Sequence, residues 1–276
     1  MRSPAFLVTN DDGIESPFLA ALVRALLPVG SVTVVAPSGE RSWIGKAISR
    51  RGQVGVRSRS GLFECHAWEV DGTPADCVNL GLGHLIATRV DAVVSGINIG
   101  SNAGLPLILA SGTVGGALEG ALLGRHAIAT SMRLDPVDFA AISRRSGEEL
   151  PAHLQSALLA AADRTTRLCV SIARKRVPRR FLVHNLNFPP RFSDESVLQR
   201  TVPAWMSAGN LFSPVEDTNG QVYAFSFAIG SERTAARLSD RECIESGQAS
   251  HSILDFGRIG VPAGVPATSA AMELRK

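Results

Sequence analysis

Two adjacent carboxylates, Asp11 and Asp12, directly follow a short apolar run near the beginning of the chain. Like charges this close raise each other's pKa, so the pair is unfavourable unless a positive charge lies beside it. A divalent cation can supply that charge, and oxygen ligands suit Mg²⁺ or Mn²⁺ better than Zn²⁺. Taken alone, the pair is better explained by a turn at Asp12-Gly13 and a helix cap at Asp11.

Side chains with oxygen ligands also follow two other predicted strands. Ser42 lies in the polar loop after the second strand, and Asn98 lies in the glycine-rich segment after a later strand. In an open parallel sheet, ligands bind where the carboxyl ends of the strands meet the loops. Compatible ligands in three such segments favour a cation site over a simple turn. The predicted ligands of one Mg²⁺ or Mn²⁺ ion per subunit are Asp11, Asp12, Ser42 and Asn98, and water and substrate fill the other positions.

A phosphate fits at a predicted helix start that combines hydroxyl side chains with glycine. Ser111-Gly112-Thr113 offers backbone N–H groups there, where the helix dipole favours an anion. Ordinary capping by Ser111, with glycines that allow close packing, explains the same residues equally well. The predicted phosphate and substrate contacts are Asn10, Asn102, Ser111, Gly112 and Thr113, and the predicted catalytic residues are Asp11 and Asp12.

Strand and helix patterns alternate along the chain and position these residues. The predicted strands are Ala5–Thr9, Ser31–Ala36, Asp91–Ser95, Ala127–Ser131 and Phe181–Leu186, with hairpin-like segments at Gln53–Arg59 and Leu62–Val70. The predicted helices are Ser16–Leu27, one that begins at Thr73-Pro74, Ser111–Leu123 and His153–Ala173, and Leu134–Pro151 is predicted as a surface connection. Strands that alternate with helices predict a parallel sheet covered on both faces.

The pattern predicts an α/β fold with a Rossmann-like, mostly parallel sheet in a three-layer αβα arrangement. The predicted catalytic core covers residues 1–190. An irregular, β-containing C-terminal extension covers residues 191–276, where proline, glycine, serine and short apolar pieces such as Val222–Ile229 predominate. We expect this arm to pack on the core or on a second subunit.

Composition excludes several classes of protein. Of the 276 residues, 45% are hydrophobic and 19% are charged, with a formal net charge of +3, which excludes a disordered or collagen-like chain. Four widely separated cysteines predict free thiols rather than a disulfide scaffold. The first apolar run is too short for a signal peptide, so we expect a cytoplasmic protein without a membrane segment. Nucleic acid is a disfavoured partner, because the cations are spread along the chain apart from one run at residues 174–180.

Five separated blocks of the sequence occur in the order found in a known family. They are Leu7–Ile14, Val34–Pro37 with Arg41-Ser42, Gly72–Val78, Ser95–Asn102, and Ser111–Val114 with Ala117–Gly120, and a weaker block is Asn185–Pro189. By these blocks the chain resembles the SurE family of metal-dependent nucleoside monophosphate phosphatases. The five blocks are spread over most of the first half of the chain.

The resemblance implies an activity, a ligand set and an assembly. The family's metal ligands correspond to Asp11, Asp12, Ser42 and Asn98. The expected reaction is hydrolysis of nucleoside 5′- and 3′-monophosphates, or other small phosphomonoesters, by a metal-activated water. The expected assembly is a cytoplasmic homodimer or homotetramer formed through the C-terminal extensions.

Two departures from the family pattern lie near the predicted site, and the first of them keeps an alternative open. The family usually has an aspartate after Asn102-x-Gly104, whereas residues 105–110 of this chain contain no carboxylate. Trp43 replaces a usual small residue beside Ser42. The alternative is a SurE-like protein that binds a nucleotide or phosphate and hydrolyses it weakly or not at all.

Overall fold

The computed structural model describes residues 2–144, 150–178, 180–215, 222–226, 229–233 and 237–259. Residues 260–276 of the predicted arm and Arg179 of the basic run lie outside the described residues. The strands are β1 (Ala5–Thr9), β2 (Ser31–Pro37), β3 (Val56–Ser58), β4 (His66–Val70), β5 (Ala92–Ile99), β6 (His126–Met132), β7 (Leu182–Phe188), β8 (Leu198–Thr201), β9 (Trp205–Ala208), β10 (Phe212–Val215), β11 (Val222–Phe225), β12 (Ile229–Arg233) and β13 (Ala249–Asp255). The helices are α1 (Pro17–Leu26), α2 (Pro74–Leu80), α3 (Leu105–Ala110), α4 (Gly112–Leu122), α5 (Pro136–Arg144), α6 (Ala152–Ala173) and α7 (Asp240–Glu245), with a π-helical turn at Gly81–Leu85 and a 3₁₀ turn at Phe256–Arg258.

Within the described ranges, nine strands form one sheet in the order β3-β4-β2-β1-β5-β6-β7-β13-β8. The six strands from β4 to β7 run parallel to one another, whereas β3 and β13 are antiparallel to their neighbours β4 and β7. The prediction of a mostly parallel α/β sheet is confirmed. Because β1, β2 and β5 are parallel, their carboxyl ends meet at one edge of the sheet.

The alternating side chains of β1 show how the sheet is covered on both faces. Phe6 and Val8 are buried in a cluster with side chains of α1 and α6. Leu7 points to the other face and is buried in a cluster with Cys77 and Val78 of α2. Side chains point alternately to the two faces of a strand, so a continuous apolar run is what a strand covered on both faces requires.

The start of α2 confirms the helix predicted at Thr73-Pro74. Thr73 Oγ1 accepts a hydrogen bond from the Asp76 backbone N at 3.1 Å, and Asp76 Oδ2 accepts one from the Thr73 backbone N at 2.9 Å. This reciprocal pair satisfies two backbone donors of the first turn. Pro74 occupies the first helical position, where its missing N–H costs nothing.

Strand β5 is longer than the sequence pattern indicates. The sequence pattern predicts a strand that ends at Ser95, but the structure continues it to Ile99. After an irregularity in the register, Asn98 pairs with Ser131 of β6 and Ile99 pairs with Met132. The predicted ligand Asn98 therefore lies inside the strand, because pairing with β6 outweighs the weak strand preference of the glycine-rich residues.

Two short helices occur where the sequence analysis expects irregular backbone. Helix α3 covers residues 105–110 after the glycine-rich segment. Helix α5 lies within the predicted connection Leu134–Pro151, of which residues 145–149 lie outside the described part of the chain. Both helices have a proline in the first turn, and α5 also has Asp138 there. These are helix-start signals that the weak apolar periodicity obscures.

Segments beyond residue 190 both extend the sheet and form separate ribbons. β13 inserts between β7 and β8, so two strands from the predicted extension belong to the central sheet. β10 pairs with β11, and β9 pairs with β12, in two antiparallel ribbons. The boundary at residue 190 stays a prediction. The four cysteines are free, and no helix in the described part of the chain is long and apolar enough to cross a membrane.

Candidate active site

The carboxylate of Asp11 lies just beyond β1 and is held by the first turn of α4. Its Oδ1 accepts a hydrogen bond from Thr113 Oγ1 at 2.5 Å, and its Oδ2 accepts one from the Thr113 backbone N at 3.0 Å. Helix α4 begins here because Ser111 caps it, with Oγ accepting from the Val114 backbone N at 3.0 Å. Backbone amides at a helix N-terminus carry partial positive charge, so α4 stabilises the ionised form of Asp11.

Asp12 faces β5 and is less enclosed than Asp11. It is half-buried, and its Oδ2 accepts a hydrogen bond from the Ile99 backbone N at 3.1 Å. The preceding residue, Asn98, donates from Nδ2 to the Gly100 carbonyl at 2.9 Å. Because the nitrogen of this amide is used there, its oxygen Oδ1 is the atom that suits a cation. The structure therefore places Asp12 and Asn98 at the same strand end.

Ser42 lies on the loop after β2, and this loop carries a carboxylate that the sequence analysis missed. Ser42 Oγ donates to Glu40 Oε1 at 2.6 Å. The loop is attached to the aspartate pair by the Arg41 backbone N, which donates to the Asp11 carbonyl at 2.7 Å. Glu40 is exposed. Its position two residues before the predicted ligand Ser42, in a loop at a strand end, is the sequence feature that could have identified it.

The electrostatics of this edge favour neutralisation by a positive charge. Burial raises the pKa of Asp11 to about 6, although the hydrogen bonds from Thr113 act in the opposite direction. Burial, followed by the charge of Asp11, raises the pKa of Asp12 well above its ordinary value, and Glu40 adds to the effect on both. Such shifts are typical of like charges that share a poorly hydrated site.

The donor atoms fit a hard divalent cation. Carboxylate, hydroxyl and amide oxygens are the ligands that Mg²⁺ and Mn²⁺ prefer. Asn10 adds a further acceptor, because its Nδ2 donates to the Gly13 carbonyl at 2.8 Å while its buried Oδ1 has no hydrogen-bond partner in the described part of the protein. Across the described ranges, no group of three or more His, Cys, Asp or Glu side chains is placed to hold a metal. A cation here would depend on the two aspartates with Ser42 and Asn98.

Two glycines allow the backbones of this edge to approach closely. Gly13 has φ +100°, and an added Cβ would lie 3.1 Å from Cα of Gly39 on the loop after β2. At Gly112, an added Cβ would lie 2.9 Å from both Cβ and Oδ2 of Asp11. A side chain at Gly112 would displace the carboxylate, so the first position of α4 is restricted to glycine by contact with Asp11.

The structure brings some of the predicted phosphate contacts to the aspartates and places one elsewhere. Gly112 and Thr113 contact Asp11, and both hydrogen-bond donors of Thr113 are used by that carboxylate. Asn102, in contrast, is buried, and its Nδ2 donates to Ser131 Oγ of β6 at 2.9 Å. The role of these residues in binding phosphate stays a prediction.

A network of asparagines, which the sequence patterns do not predict, holds the segment after β5. The Asn102 backbone N donates to Asn187 Oδ1 at 2.7 Å, and the Asn102 carbonyl accepts from Asn185 Nδ2 at 2.9 Å. All three side chains are buried. Polar residues that alternate along β7 were the signal, since an interior strand has few other reasons to carry two asparagines.

The C-terminal segment reaches the same region through a buried carboxylate. Asp240, the first residue of α7, is fully buried. Its Oδ2 accepts from the Gly104 backbone N at 3.0 Å, and its Oδ1 accepts from the Ala204 backbone N at 2.9 Å. This residue therefore fastens the loop before α3 to the segment before β9.

A family model described as "Survival protein SurE" matches residues 6–207. The chain belongs to the SurE family, as its sequence blocks predict. It is similar to proteins named "5′-nucleotidase SurE": that of Rhodopirellula baltica is 33% identical over 258 residues, 91% of this chain and 92% of the relative. That of Geobacter sulfurreducens is 50% identical over 127 residues, but these span only 46% of each chain.

A solved structure extends the similarity to almost the whole chain. The crystal structure of the SurE protein from Aquifex aeolicus aligns with a TM-score of 0.71 at 27% sequence identity and covers 99% of this chain and 98% of that one. The match confirms the predicted fold class. Because the chain spans less than two thirds of the length of several relatives it matches, activity and substrate remain matters for proposal.

Proposed function

We propose that this protein is a phosphomonoesterase that hydrolyses nucleoside 5′-monophosphates, and 3′-monophosphates as well, with the help of one Mg²⁺ or Mn²⁺ ion. The observation that carries the proposal is the pair Asp11 and Asp12 at the carboxyl end of β1, where burial raises both pKa values and the charge of Asp11 raises that of Asp12 further. An edge with surplus negative charge is suited to a cation, and a cation is suited to a phosphate. The name shared by the relatives supports the same reaction class.

The residues that would hold the cation are Asp11, Asp12, Ser42 and Asn98. When bound, a divalent cation supplies Lewis-acid chemistry, offsetting the charge of the phosphate and favouring ionisation of water. Asp11 would be the rigid member of the set, since Thr113 fixes both of its oxygens. Asp12 has a single backbone donor, Ile99 N, and is the better placed of the two to orient a water.

Helix α4 would contribute to binding through its N-terminus. Its first-turn amides already stabilise Asp11, and the same dipole favours a phosphate that lies beside that carboxylate. Ser111 retains a hydroxyl hydrogen while its oxygen caps the helix, so it can donate to a phosphate oxygen. The cytoplasmic location and the homodimer or homotetramer stay predictions beside this proposal.

Phosphate release from nucleoside 5′-monophosphates, with and without a chelator, tests the proposal. We expect release that requires Mg²⁺ or Mn²⁺ and that falls at least about 100-fold in Asp12→Asn, since the loss of residues that merely support metal ligands already costs 10- to 100-fold. Asp163→Asn, at a half-exposed acid on α6 that pairs with Arg167, is the matched control and should keep wild-type activity. Full activity of Asp12→Asn would contradict the mechanism.

The same experiment separates the enzyme from the binding protein kept open by the sequence. Helix α3 fills residues 105–110 without a carboxylate, so the rim beyond Gly104 lacks an acid in that stretch. Nucleotide binding without phosphate release under any divalent metal would favour the binding protein. Metal-dependent turnover would exclude it.

A further inference from the structure

An aromatic contact joins the loop beside Ser42 to the C-terminal segment. The ring of Trp43 lies against the ring of Phe225 on β11, with 5.0 Å between the centroids and an edge-on angle of 64°. Phe225 in turn packs edge-on against Phe212, its partner across the β10–β11 ribbon, at 6.3 Å. The three rings form one cluster, which we call the aromatic cluster: Trp43, Phe212 and Phe225.

The aromatic cluster remains accessible although its rings touch. Trp43 is 42% exposed, Phe225 is 50% exposed and Phe212 is 54% exposed. Large aromatic side chains usually bury most of their surface, and exposed groups of them mark binding sites. A core packing role therefore does not account for these rings.

Trp43 lies close in sequence to a residue that contacts the sheet edge carrying Asp11 and Asp12, which we call the aspartate edge. The Arg41 backbone N contacts the Asp11 carbonyl at 2.7 Å, and the Gly45 backbone N donates to the Ala110 carbonyl at 2.8 Å. Trp43 lies midway between these two anchors. Consecutive Cα atoms are about 3.8 Å apart, so the Cα of Trp43 is at most about 8 Å from that of Arg41. A nucleotide with its phosphate at the aspartates can therefore extend its base toward Trp43.

The backbone conformation of Trp43 is one that tryptophan adopts less readily than glycine. Its φ is 58°, in the left-handed region that glycine adopts freely and other residues adopt at some cost. Unfavourable backbone conformations of this kind are concentrated at functional sites. Because glycine would suit this backbone better than tryptophan, we infer that the ring of Trp43 is the feature with a function.

We propose that the aromatic cluster binds the base of the substrate, with Trp43 as the stacking surface and Phe225 holding the Trp43 ring in place. This inference rests on the proposed function, which it extends from the phosphate to the base. Every nucleobase has a flat π-face, so stacking supplies affinity with little discrimination among bases. Trp43 is thus a specificity residue for nucleotides over phosphomonoesters that lack a base.

A comparison of two substrates tests the role of the ring. Trp43→Ala should lower kcat/KM for adenosine 5′-monophosphate about fivefold or more, mainly through KM, and should leave kcat/KM for ribose 5-phosphate unchanged. Trp43→Phe should restore most of the loss. Alanine, phenylalanine and tryptophan face a similar demand from the left-handed backbone, so the series isolates the ring. An equal fall for both substrates, or no fall for either, would overturn the proposal.

Controls for this comparison come from the same chain. Phe181→Ala removes a phenylalanine that is also 42% exposed but lies at the amino end of β7, away from the aspartate edge. This variant should leave kcat/KM unchanged for both substrates. Phe225→Ala should reproduce part of the Trp43→Ala effect. If Trp43→Ala and Phe225→Ala instead alter the oligomeric state in size-exclusion chromatography without selective loss of nucleotide turnover, the cluster is a contact between copies, and the proposal is overturned.

Fluorescence keeps the base-binding proposal separate from catalysis. The chain has three tryptophans, Trp43, Trp68 and Trp205, and adenosine carries the base without a phosphate to hydrolyse. Titration with adenosine should quench the fluorescence of the wild type and not that of Trp43→Phe. Equal quenching in both would overturn the proposal. If quenching depends on Trp43 while no phosphate is released from any ester, the proposed hydrolysis fails and base binding stands.

Discussion

The aspartate edge and the β10–β11 ribbon differ in what holds them in place. Asp11 is buried and receives hydrogen bonds from both donors of Thr113, so its position is fixed by backbone and side chain together. The residues of the ribbon, among them Tyr223, are exposed, and the ribbon reaches the site loop through ring contacts of Phe225. Hydrogen bonds to buried groups fix a geometry more narrowly than contacts between exposed rings.

The difference indicates a division of tasks between the two regions. Chemistry at a phosphate requires donor atoms held to a fraction of an ångström, and the aspartate edge has the buried anchors for that. Contact with a base tolerates some adjustment, because flat rings slide over one another at small cost. Substitutions at the aspartate edge should therefore lower turnover strongly. Substitutions in the β10–β11 ribbon should either weaken substrate binding or have no effect.

The largest expected effect comes from crowding the aspartate edge with one methyl group. Gly112→Ala would place a Cβ 2.9 Å from Asp11, so the carboxylate or α4 must move. We expect kcat/KM for phosphate release to fall about 100-fold, as misplacement by about 1 Å can do. Gly39→Ala is the control, since an added Cβ there meets nothing within 4 Å and activity should not change. Wild-type kinetics in Gly112→Ala would show that the edge is more adaptable than its contacts indicate.

A smaller effect, on stability, tests the buried carboxylate that fastens the loop before α3 to the segment before β9. Asp240→Ala would leave the backbone amides of Gly104 and Ala204 without their acceptor in a buried setting. We expect the free energy of unfolding, measured with urea, to fall by about 3 kcal/mol. Asp240→Asn should lose less because it keeps one acceptor oxygen. Asp163→Ala, at a half-exposed acid, removes only a surface ion pair with Arg167 and should change stability by less than about 0.5 kcal/mol. Equal losses in Asp240→Ala and Asp163→Ala would refute the link.

A pH-dependent effect should arise away from both regions, at the contact between β7 and β13. His184 Nδ1 and His251 Nε2 lie 2.9 Å apart. Burial lowers the pKa of His184 to about 4 and that of His251 to about 3, and the positive charge of Arg200 acts in the same direction on both. Between pH 6.5 and about 4 the unfolded chain binds protons at these two imidazoles that the folded chain does not, so the pair contributes a loss of stability as the pH falls through this range. The raised pKa of Asp11 contributes in the opposite direction, so the effect of the pair is measured against the wild type.

Urea unfolding at pH 7 and at pH 5 measures this dependence. His251→Gln should reduce the loss of stability between the two values, because one fewer buried imidazole resists protonation. His66→Gln removes an exposed histidine of β4 and should leave the loss as in the wild type. A His251→Gln variant as sensitive to pH as the wild type would rule out the pair as the cause.

The smallest expected effect lies on the ribbon itself. Tyr223 is 54% exposed on β11, and its ring is outside the aromatic cluster. Tyr223→Ser should change the free energy of unfolding by less than about 0.5 kcal/mol and leave kcat/KM for nucleotides unchanged. Urea unfolding and phosphate release measure the two quantities. A loss of more than about 1 kcal/mol would mean that the ribbon is held as firmly as the aspartate edge, and the contrast would disappear.

The site residues that directly follow strands could be predicted from the sequence. Asp11 and Asp12 come directly after an apolar run, and a carboxyl end of a parallel strand is where ligands bind, so their types and position predict a shared edge. The helix at Thr73-Pro74 was predictable for a similar reason, since a capping threonine and a proline at the first position act locally. Local signals of this kind survive folding because tertiary contacts reinforce them.

Features of the site that depend on residues distant in the chain could not be predicted from the sequence. Nothing local indicates that Thr113 binds Asp11, because the two residues lie 102 positions apart and either could have faced a ligand. The extension of β5 to Ile99 depends on pairing with β6, and glycine-rich residues give little sign of that. The contact of Trp43 with Phe225 requires the C-terminal segment to return to the first loop, which no periodicity reveals.

The place of β13 in the sheet has a consequence for the order in which the chain can complete its fold during synthesis. β13 is the last described strand, yet it lies between β7 and β8, so β8 has no place in the sheet until β13 exists. Until then β7 is a temporary edge with unpaired amide and carbonyl groups, a surface that invites pairing with other chains. During synthesis, the strands that carry the aspartate edge are therefore complete while β7 is still an unpaired edge that can aggregate. Pairing of β13 with β7 removes this risk.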